Sequence, residues 1–560
     1  MGKEVRISDE EILTPADQAS PDSAPELVRH TAVMSVGTAL SRVTGFLRLS
    51  AMAFALGITE SRLADAYNIA NTTPNIIYEL ALGGILSSVF VPVFVQWLEH
   101  RGREEAWEVA RRVLTISIVV LSGIMIAGIL AAPLIVRLYS TGIADPEQRE
   151  AVRGLASFFL RWFMPQIVFY GVGAVATGLL NAHRRFAAPM FAPILNNFIV
   201  IATMLTFAAM PGPADPSPAN LATSAQKLVL AIGTTLGVFA MTAALWPSLR
   251  ATGFRFRFRS EWRHEAVRRI AHLAKWMIVY VAVNQLGYLI VLVLAARVQG
   301  GYTAYTFAFI MFQLPHAIFA VSIFTALLPA LSSRWSDGDT PGYRAMLAQG
   351  IRMTAFIVVP AAFGYLVLAE PITRLLFQHG VTTAVSTDLV ASVLVFFSFG
   401  LFSFSAFQLL LRAFYAMQDT RTPALVNVGA AAVNIGANLL LFFTFSLGVR
   451  GLALGHAIGY TFAAAVSILI MRRRLEGMDG REVVAGMGRT LIAAAATAGA
   501  AWLSSKGLAR AFGTAGVFAQ AVQVLGSVLA GLLVFVVAAI ALRMEEFEVI
   551  KSSLRSRLRR

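Results

Sequence analysis

The sequence predicts an all-α integral membrane protein of about fourteen transmembrane helices, and three observations carry that prediction. Hydrophobic residues fill 57% of the 560 positions and charged residues only 14%, with a mean hydropathy of +0.68. A soluble chain carries nearer about 25% charge. The apolar residues gather in stretches of roughly 20 to 30, each able to cross a hydrocarbon core about 30 Å thick. None of these stretches alternates apolar and polar residues as a strand does, so the backbone must satisfy itself along helices.

The elements follow in order. Residues 1–30 contain Pro15, Pro21, Pro25 and seven acidic residues, and read as a disordered cytoplasmic tail. Six spans follow at approximately 31–57, 64–97, 111–139, 154–182, 189–210 and 228–249. A basic linker, 251–271, leads to six more at approximately 272–298, 303–331, 352–377, 388–415, 423–447 and 451–471. Spans 13 and 14 lie within 489–543, and a basic tail closes the chain at 544–560. The first apolar stretch begins only near Thr31 and is long, so no cleavable signal peptide is expected.

Loop charge sets the orientation. Arg101, Arg103, Arg111 and Arg112 follow span 2; Arg184 and Arg185 follow span 4; Arg250, Arg255, Arg257, Arg259, Arg263, Arg268 and Arg269 follow span 6. Arg472, Arg473, Arg474 and Arg481 follow span 12, and the tail ends on Arg555, Arg557, Arg559 and Arg560. The intervening loops are poorer, holding Arg62, Arg149, Lys227, Arg450, Lys506 and Arg510. Excess positive charge stays inside, which puts both termini in the cytoplasm of a multi-pass plasma-membrane protein. The net charge of +15 is thereby used for topology rather than for nucleic acid. With no cysteine, disulfides and thiolate chemistry are excluded.

The chain also echoes itself. Asp65-Ala66-Tyr67-Asn68-Ile69-Ala70 returns as Thr303-Ala304-Tyr305-Thr306-Phe307-Ala308, 238 positions on. Pro92 returns as Pro329, and the pair Ala182 and Pro189 as Ala416 and Pro423. A near-constant offset spanning six helices predicts two parallel lobes, 31–250 and 272–474, with substrate between them and access alternating as one rocks on the other.

Charges inside a span mark function by default. Arg42 and Arg48 sit in span 1, about 120° apart on an ideal helix, and Gly45 between them offers a bend toward one cavity. Two guanidiniums there suit a phosphate; the alternative is a structural pair, one arginine snorkelling and one meeting Asp65. Asp65 opens span 2, either as a functional acid or as an N-cap. Pro74-Asn75 interrupts that span, and Glu79 follows one turn later as a counter-charge or proton-carrying carboxylate. Arg161 and Arg412 are further intramembrane cations. Glu370 and Arg374 are spaced for a helix-end ion pair. Asn427, Asn434 and Asn438 dot span 11, where amides either cement packing or form a candidate cation site at Asn434 and Asn438.

Enzyme signatures fail. His264-Glu265 is followed by Arg268 where a zincin needs histidine, and Gly171-x-Gly173 lies inside an apolar helix. No phosphate-binding loop of the GxxxxGK type occurs. The energy source is expected to be a Na+ or H+ gradient or the membrane potential, with no cofactor.

Several strings resemble the MurJ (MviN) family of lipid II flippases. They are Ser41-Arg42-x-x-Gly45-Phe46-x-Arg48, Asp65-Ala66-Tyr67 with Pro74-Asn75, and above all Arg412-Ala413-Phe414-Tyr415-Ala416-x-x-Asp419-Thr420-Arg421-Thr422-Pro423. Asn181 through Pro193 and Gln313 through Ser332 are also similar, and the likeness covers roughly residues 31 to 540. It implies fourteen helices in two six-helix lobes plus two, within the superfamily of multidrug, oligosaccharidyl-lipid and polysaccharide exporters. The implied substrate is lipid II, an undecaprenyl pyrophosphate bearing the peptidoglycan disaccharide-pentapeptide. Its pyrophosphate would sit in a central cavity, where Arg42 and Arg48 correspond to family cavity arginines and Asp65 to the family's acidic residue of span 2. Asn75 and Glu79 complete the candidate binding residues, and Gly45, Pro74, Asp419 and Arg421 are candidates for gating or loop roles. Its polyprenyl tail would run along a groove by the last two helices.

This chain departs from the family at three places. Tyr78 and Glu79 stand where many members carry an arginine pair, and Ile310 stands where span 8 carries another arginine. Members with a sodium site use an acidic residue in span 11, where this chain has Asn434 and Asn438. The expected partners are lipid II or a similar glycolipid, membrane lipids, and cell-wall synthesis or division proteins. Alternatives are a flippase for another undecaprenyl-linked glycan, a drug antiporter (which would favour an acidic cavity), or a transport-inactive scaffold of the cell-wall machinery.

Overall fold

A computed structural model describes residues 24–80, 94, 101–183, 185–212, 216–259, 281–478 and 480–558. Every regular element among them is a helix. Ten helices are long and apolar enough to cross a membrane. An eleventh crossing is the pair Ala384–Ser398 and Leu401–Ala416, bent by 49°. These eleven are spans 3 to 6 and 8 to 14. Span 1 is the 33-residue helix Ala24–Leu56. Span 2 is described over Leu63–Tyr78 and span 7 over Val281–Ala295. The rest of both, with Pro92, lies outside the described residues, as do Arg184, His264, Glu265, Arg559 and Arg560.

Three expectations need correction. The described helix already includes Ala24, inside the stretch 1–30 read as disordered, and runs without a break into span 1. Span 13 is already helical at Gly480, ahead of the expected 489. Its charged first turns are kept helical by a partner, since Glu482 reaches Arg352 of span 9 at 3.2 Å. Span 2 is not interrupted at Pro74: the helix runs through to Tyr78 and loosens only at Glu79 and Leu80, in a wider π turn.

The loops joining spans 1–2, 3–4, 5–6 and 7–8 meet at one end of the bundle, and the 9–10 loop joins them there. We call this the outer end, after the topology expected from loop charge. Here one continuous apolar core runs through both halves, from Leu49, Tyr67 and Phe159 to Tyr302, Phe312 and Phe397. Toward the other end, two further clusters among the described residues each belong to one half. One, around Trp107, Leu179, Leu249 and Phe254, belongs to the N-terminal half alone. Another, around Phe407, Val426 and Ala463, belongs to the C-terminal half alone. Burial of a large apolar side chain is worth about 1.5–3 kcal/mol, so the shared core binds the two halves together at the outer end.

Candidate functional site

Span 1 packs along span 5, Ala187–Ala209, and Asn197 fixes their register. Its Nδ2 donates to Thr44 Oγ1 at 2.9 Å and to the Ser41 carbonyl at 3.3 Å. Held this way, span 1 presents Arg42 and Arg48 to one cavity of about 440 Å3. Gly45, Asn196 and Asn197 line it from the N-terminal half, and Ile310 and Leu314 of span 8 from the other. The cavity therefore lies between the halves. The helix is uninterrupted at Gly45, so side-chain length rather than a bend carries the two guanidiniums to a common space.

Arg42 is exposed and Arg48 half-buried. Among the described residues no carboxylate forms an ion pair with either, and Arg48 Nε is buried with no hydrogen-bond partner. Leaving a charge buried and unpaired is costly, and a phosphate oxygen entering the cavity would satisfy it in the fork geometry that arginine favours. Ile310 faces this same cavity.

The remaining predicted residues lie elsewhere. Asp65 does not meet Arg42 or Arg48. It is 2% exposed and spends both oxygens on the start of span 8, across the boundary between halves. Oδ2 accepts from Gly300 N at 2.8 Å, and Oδ1 from Thr303 N at 3.1 Å and Thr303 Oγ1 at 2.8 Å. Asp65 and Thr303 are the two positions related by the 238-residue offset, so equivalent points of the two halves touch. Asp65 is an N-cap after all, but for the helix Gly301–Pro315 of the opposite half. Asn75 is exposed on span 2, and Glu79 is half-buried at its end beside Tyr78, whose ring lies 5.6 Å from that of Tyr170. Neither lines the Arg42–Arg48 cavity. Arg161 is exposed, and Arg412 rests over the Phe324 ring at 5.0 Å. Glu370 and Arg374 form the anticipated ion pair.

The loop motif is a local clasp. Asp419 Oδ2 meets Arg474 of span 12 at 2.6 Å, its Oδ1 accepts from Thr422 N at 2.9 Å, and Arg474 also donates to Thr422 Oγ1 at 2.8 Å. Burial would raise the Asp419 carboxyl, but Thr422 and the Arg474 guanidinium outweigh it and bring it down to about 2. Arg421 begins the helix of span 11. Further along it, Asn438 Nδ2 donates to Asn434 Oδ1 at 3.1 Å, and both side chains press on Gly455 and Gly459 of span 12. In this arrangement the amides serve close helix packing.

Sequence reasoning did not single out Asn197, though two adjacent asparagines in an apolar span are a signal of helix contact. Nor did it find Glu60, whose partners lie over 320 residues away.

With this geometry in hand the relatives can be compared. Residues 52–523 match the family model for the lipid II flippase MurJ. The chain belongs to that family. A probable lipid II flippase of Rhizobium meliloti is 29% identical over 541 residues, covering 94% of this chain and 96% of its own. A lipid II flippase of Burkholderia cenocepacia is 30% identical, covering 80% and 84%. A solved structure titled as a lipid II flippase in an inward closed conformation superposes with a TM-score of 0.70 at 21% identity, over 91% of this chain and 99% of its own. The protein is therefore a multi-pass membrane transporter, not an enzyme.

Proposed function

We propose that this chain flips lipid II from the inner to the outer leaflet of the plasma membrane by alternating access, with both termini in the cytoplasm. One observation carries the reading: Arg42 and Arg48, unpaired with any described carboxylate, share a cavity between two halves that are joined at the outer end by one apolar core. A pyrophosphate entering from the cytoplasmic side supplies the missing counter-charge. Shifting the closure from the outer end to the inner end would then present it to the other face. Moving that anion outward is favoured by a membrane potential negative inside, which we take as the energy source. Cell-wall synthesis or division proteins are the partners this role would bring to it.

The test is depletion of the protein in its cell with labelling of surface-exposed lipid II, complemented by variants. We expect depletion to cut surface lipid II and the double variant Arg42→Ala, Arg48→Ala to fail to restore it. Undiminished surface lipid II, or full restoration by the double variant, would overturn the reading. Ile310, Tyr78 and Glu79, standing in place of arginines, favour a second reading, a flippase for another undecaprenyl-linked glycan. Binding of the purified protein to defined lipid-linked substrates separates the two.

A further inference from the structure

Glu60, in the loop between spans 1 and 2, is placed unlike any other carboxylate described. Its two oxygens are divided between the two halves. Oε2 accepts from the amides of its own loop, Ile58 N at 2.6 Å and Thr59 N at 3.1 Å. Oε1 accepts three times from the other half: Thr383 N at 2.6 Å, Thr383 Oγ1 at 2.8 Å and Ser386 Oγ at 2.6 Å. Thr383 is the N-cap of the helix Ala384–Ser398 and Ser386 lies in its first turn. The carboxylate thus sits on the positive end of a helix dipole, where an anion is favoured.

The surrounding contacts align the loop for this role. Thr59 N donates to Ser386 Oγ at 3.0 Å, and Gln299 Nε2 to the Thr59 carbonyl at 2.8 Å. Backbone meets backbone at Val381 N and the Phe54 carbonyl, 3.2 Å apart. Although burial alone would raise its pKa, the donors from Ser386, Thr383 and Ile58 prevail and hold the Glu60 carboxyl below the ordinary carboxylate range. Glu60 nevertheless stays exposed at the rim, facing a cleft of about 410 Å3 shared with Arg62, Asp145 and Glu147. Asp65, one turn farther in, makes its cross-half bonds in full burial. The two acids are therefore unequal. Water can take over the bonds that Glu60 makes to the exposed Thr383, leaving the buried Ser386 as its last partner, whereas the partners of Asp65 are released only after the halves have parted.

We propose that Glu60 is the releasable latch of the outer closure: a positioning residue whose carboxylate clamps the span 1–2 loop to the start of span 10 and is the first cross-half tie to let go when the outer end opens. It acts on the equilibrium between closed and open outer ends, and touches no substrate.

The absence of native cysteine makes the test direct. Cysteines introduced at Ala144 in the N-terminal half and Val385 in the C-terminal half, both exposed, carry spin labels on the full-length protein in lipid nanodiscs. Electron–electron distance distributions then report the outer end without any substrate. Glu60→Gln keeps the shape but loses the charge-assisted bonds, and should raise the ratio of open to closed populations roughly tenfold. Glu60→Asp, charged but too short to span both sides, should fall between. Ser386→Ala, weakening the same clamp from the opposite half, should shift the distribution in the same direction. Thermal stability should stay near the parent's in all three. A Glu60→Gln distribution superimposable on the parent's overturns the latch, and so does a shift for Glu60 variants that Ser386→Ala does not share. A shifted distribution in a protein that moves no lipid II would leave the latch standing and remove the transport reading instead.

Discussion

The two ends of this bundle are held by different kinds of bond. At the outer end the ties cross between halves and are hydrogen bonds of carboxylates and backbone: Asp65 to Gly300 and Thr303, Glu60 to Thr383 and Ser386, Arg62 Nη1 to the Ala296 carbonyl at 3.0 Å. At the inner end, the ion pairs among the described residues stay on one side. Arg111 meets Glu104 at 3.0 Å and Glu108 at 2.6 Å, and Arg259 meets Glu108 at 3.6 Å. In the C-terminal half Asp419 pairs with Arg474, and Arg352 gathers Glu482, Glu545 and Glu546 at 3.2 to 3.3 Å. The bonds of Asp65, buried in the joint, cannot be relieved by salt or solvent without separating the surfaces, whereas those of Glu60 lie at its wet rim. The part-exposed Asp419–Arg474 pair is worth about 0–1 kcal/mol and is screened, while the largely buried guanidiniums of Arg111 and Arg352 tie their own surroundings more firmly. The outer end is thus a joint between bodies, while the inner pairs brace each body by itself. Such a division lets the halves rock without dismantling either one.

The sharpest way to break that contrast is to remove the buried carboxylate. Asp65→Leu would leave Gly300 N and Thr303 N buried without an acceptor, at about 1–3 kcal/mol for each group. We expect the largest loss of thermal stability of any single outer-end change, together with a widened distance distribution across that end. A variant as stable as the parent would mean the joint does not depend on Asp65.

Backbone shape at the joint should matter next. Gly300 has φ +69°, a left-handed conformation, and a Cβ there would lie 2.3 Å from the Ile58 carbonyl oxygen of the other half. Gly300→Ala pays both for the dihedral, about 1–2 kcal/mol, and for pushing the halves apart. The expected signature is an outer end that cannot fully close while each half keeps its own fold. That is read as a longer distance between labels at Ala144 and Val385 with little change in helix content. Gly480→Ala, at an exposed position with open space around it, serves as the control.

These two residues also show why the sequence disclosed some features and hid others. Apolar stretches of membrane-spanning length need no partner to be recognised, so spans 3 to 6 and 8 to 14 could be read directly. Helix ends could not, because Glu482 draws span 13 beyond its apolar stretch toward a residue 130 positions away. Arg42 and Arg48 stood out because arginine at membrane depth is rare whatever surrounds it. Asp65 was visible too, but its role was not. An acid opening a span looks the same whether it meets an arginine nearby or the backbone of a helix 235 positions on. The repeat offset did hold that information, since it paired Asp65 with Thr303. Reading it required knowing that paired positions meet on the axis between halves. Glu60 left no such trace, being one more charged residue in a loop.

The smallest effect is expected at the inner end, where the Asp419–Arg474 clasp lies within one half. Its carboxyl is brought down to about 2 from an ordinary value near 3.8. A carboxyl depressed on folding adds stability that is complete above its unfolded value and is lost as pH falls through its folded value. The clasp should therefore be intact at neutral pH, begin to fail only below about pH 4, and be gone near about pH 2. Asp419→Asn should cost less than about 1 kcal/mol at neutral pH. The gap in unfolding temperature between it and the parent should hold constant down to about pH 5. It should leave the label distance at the outer end untouched, because no bond of the clasp crosses between halves. A gap already closing at about pH 6 would mean that the Asp419 carboxyl is not depressed. A change in outer-end distance would mean that the inner braces and the outer joint are coupled, and the two ends would then have to be treated as one device.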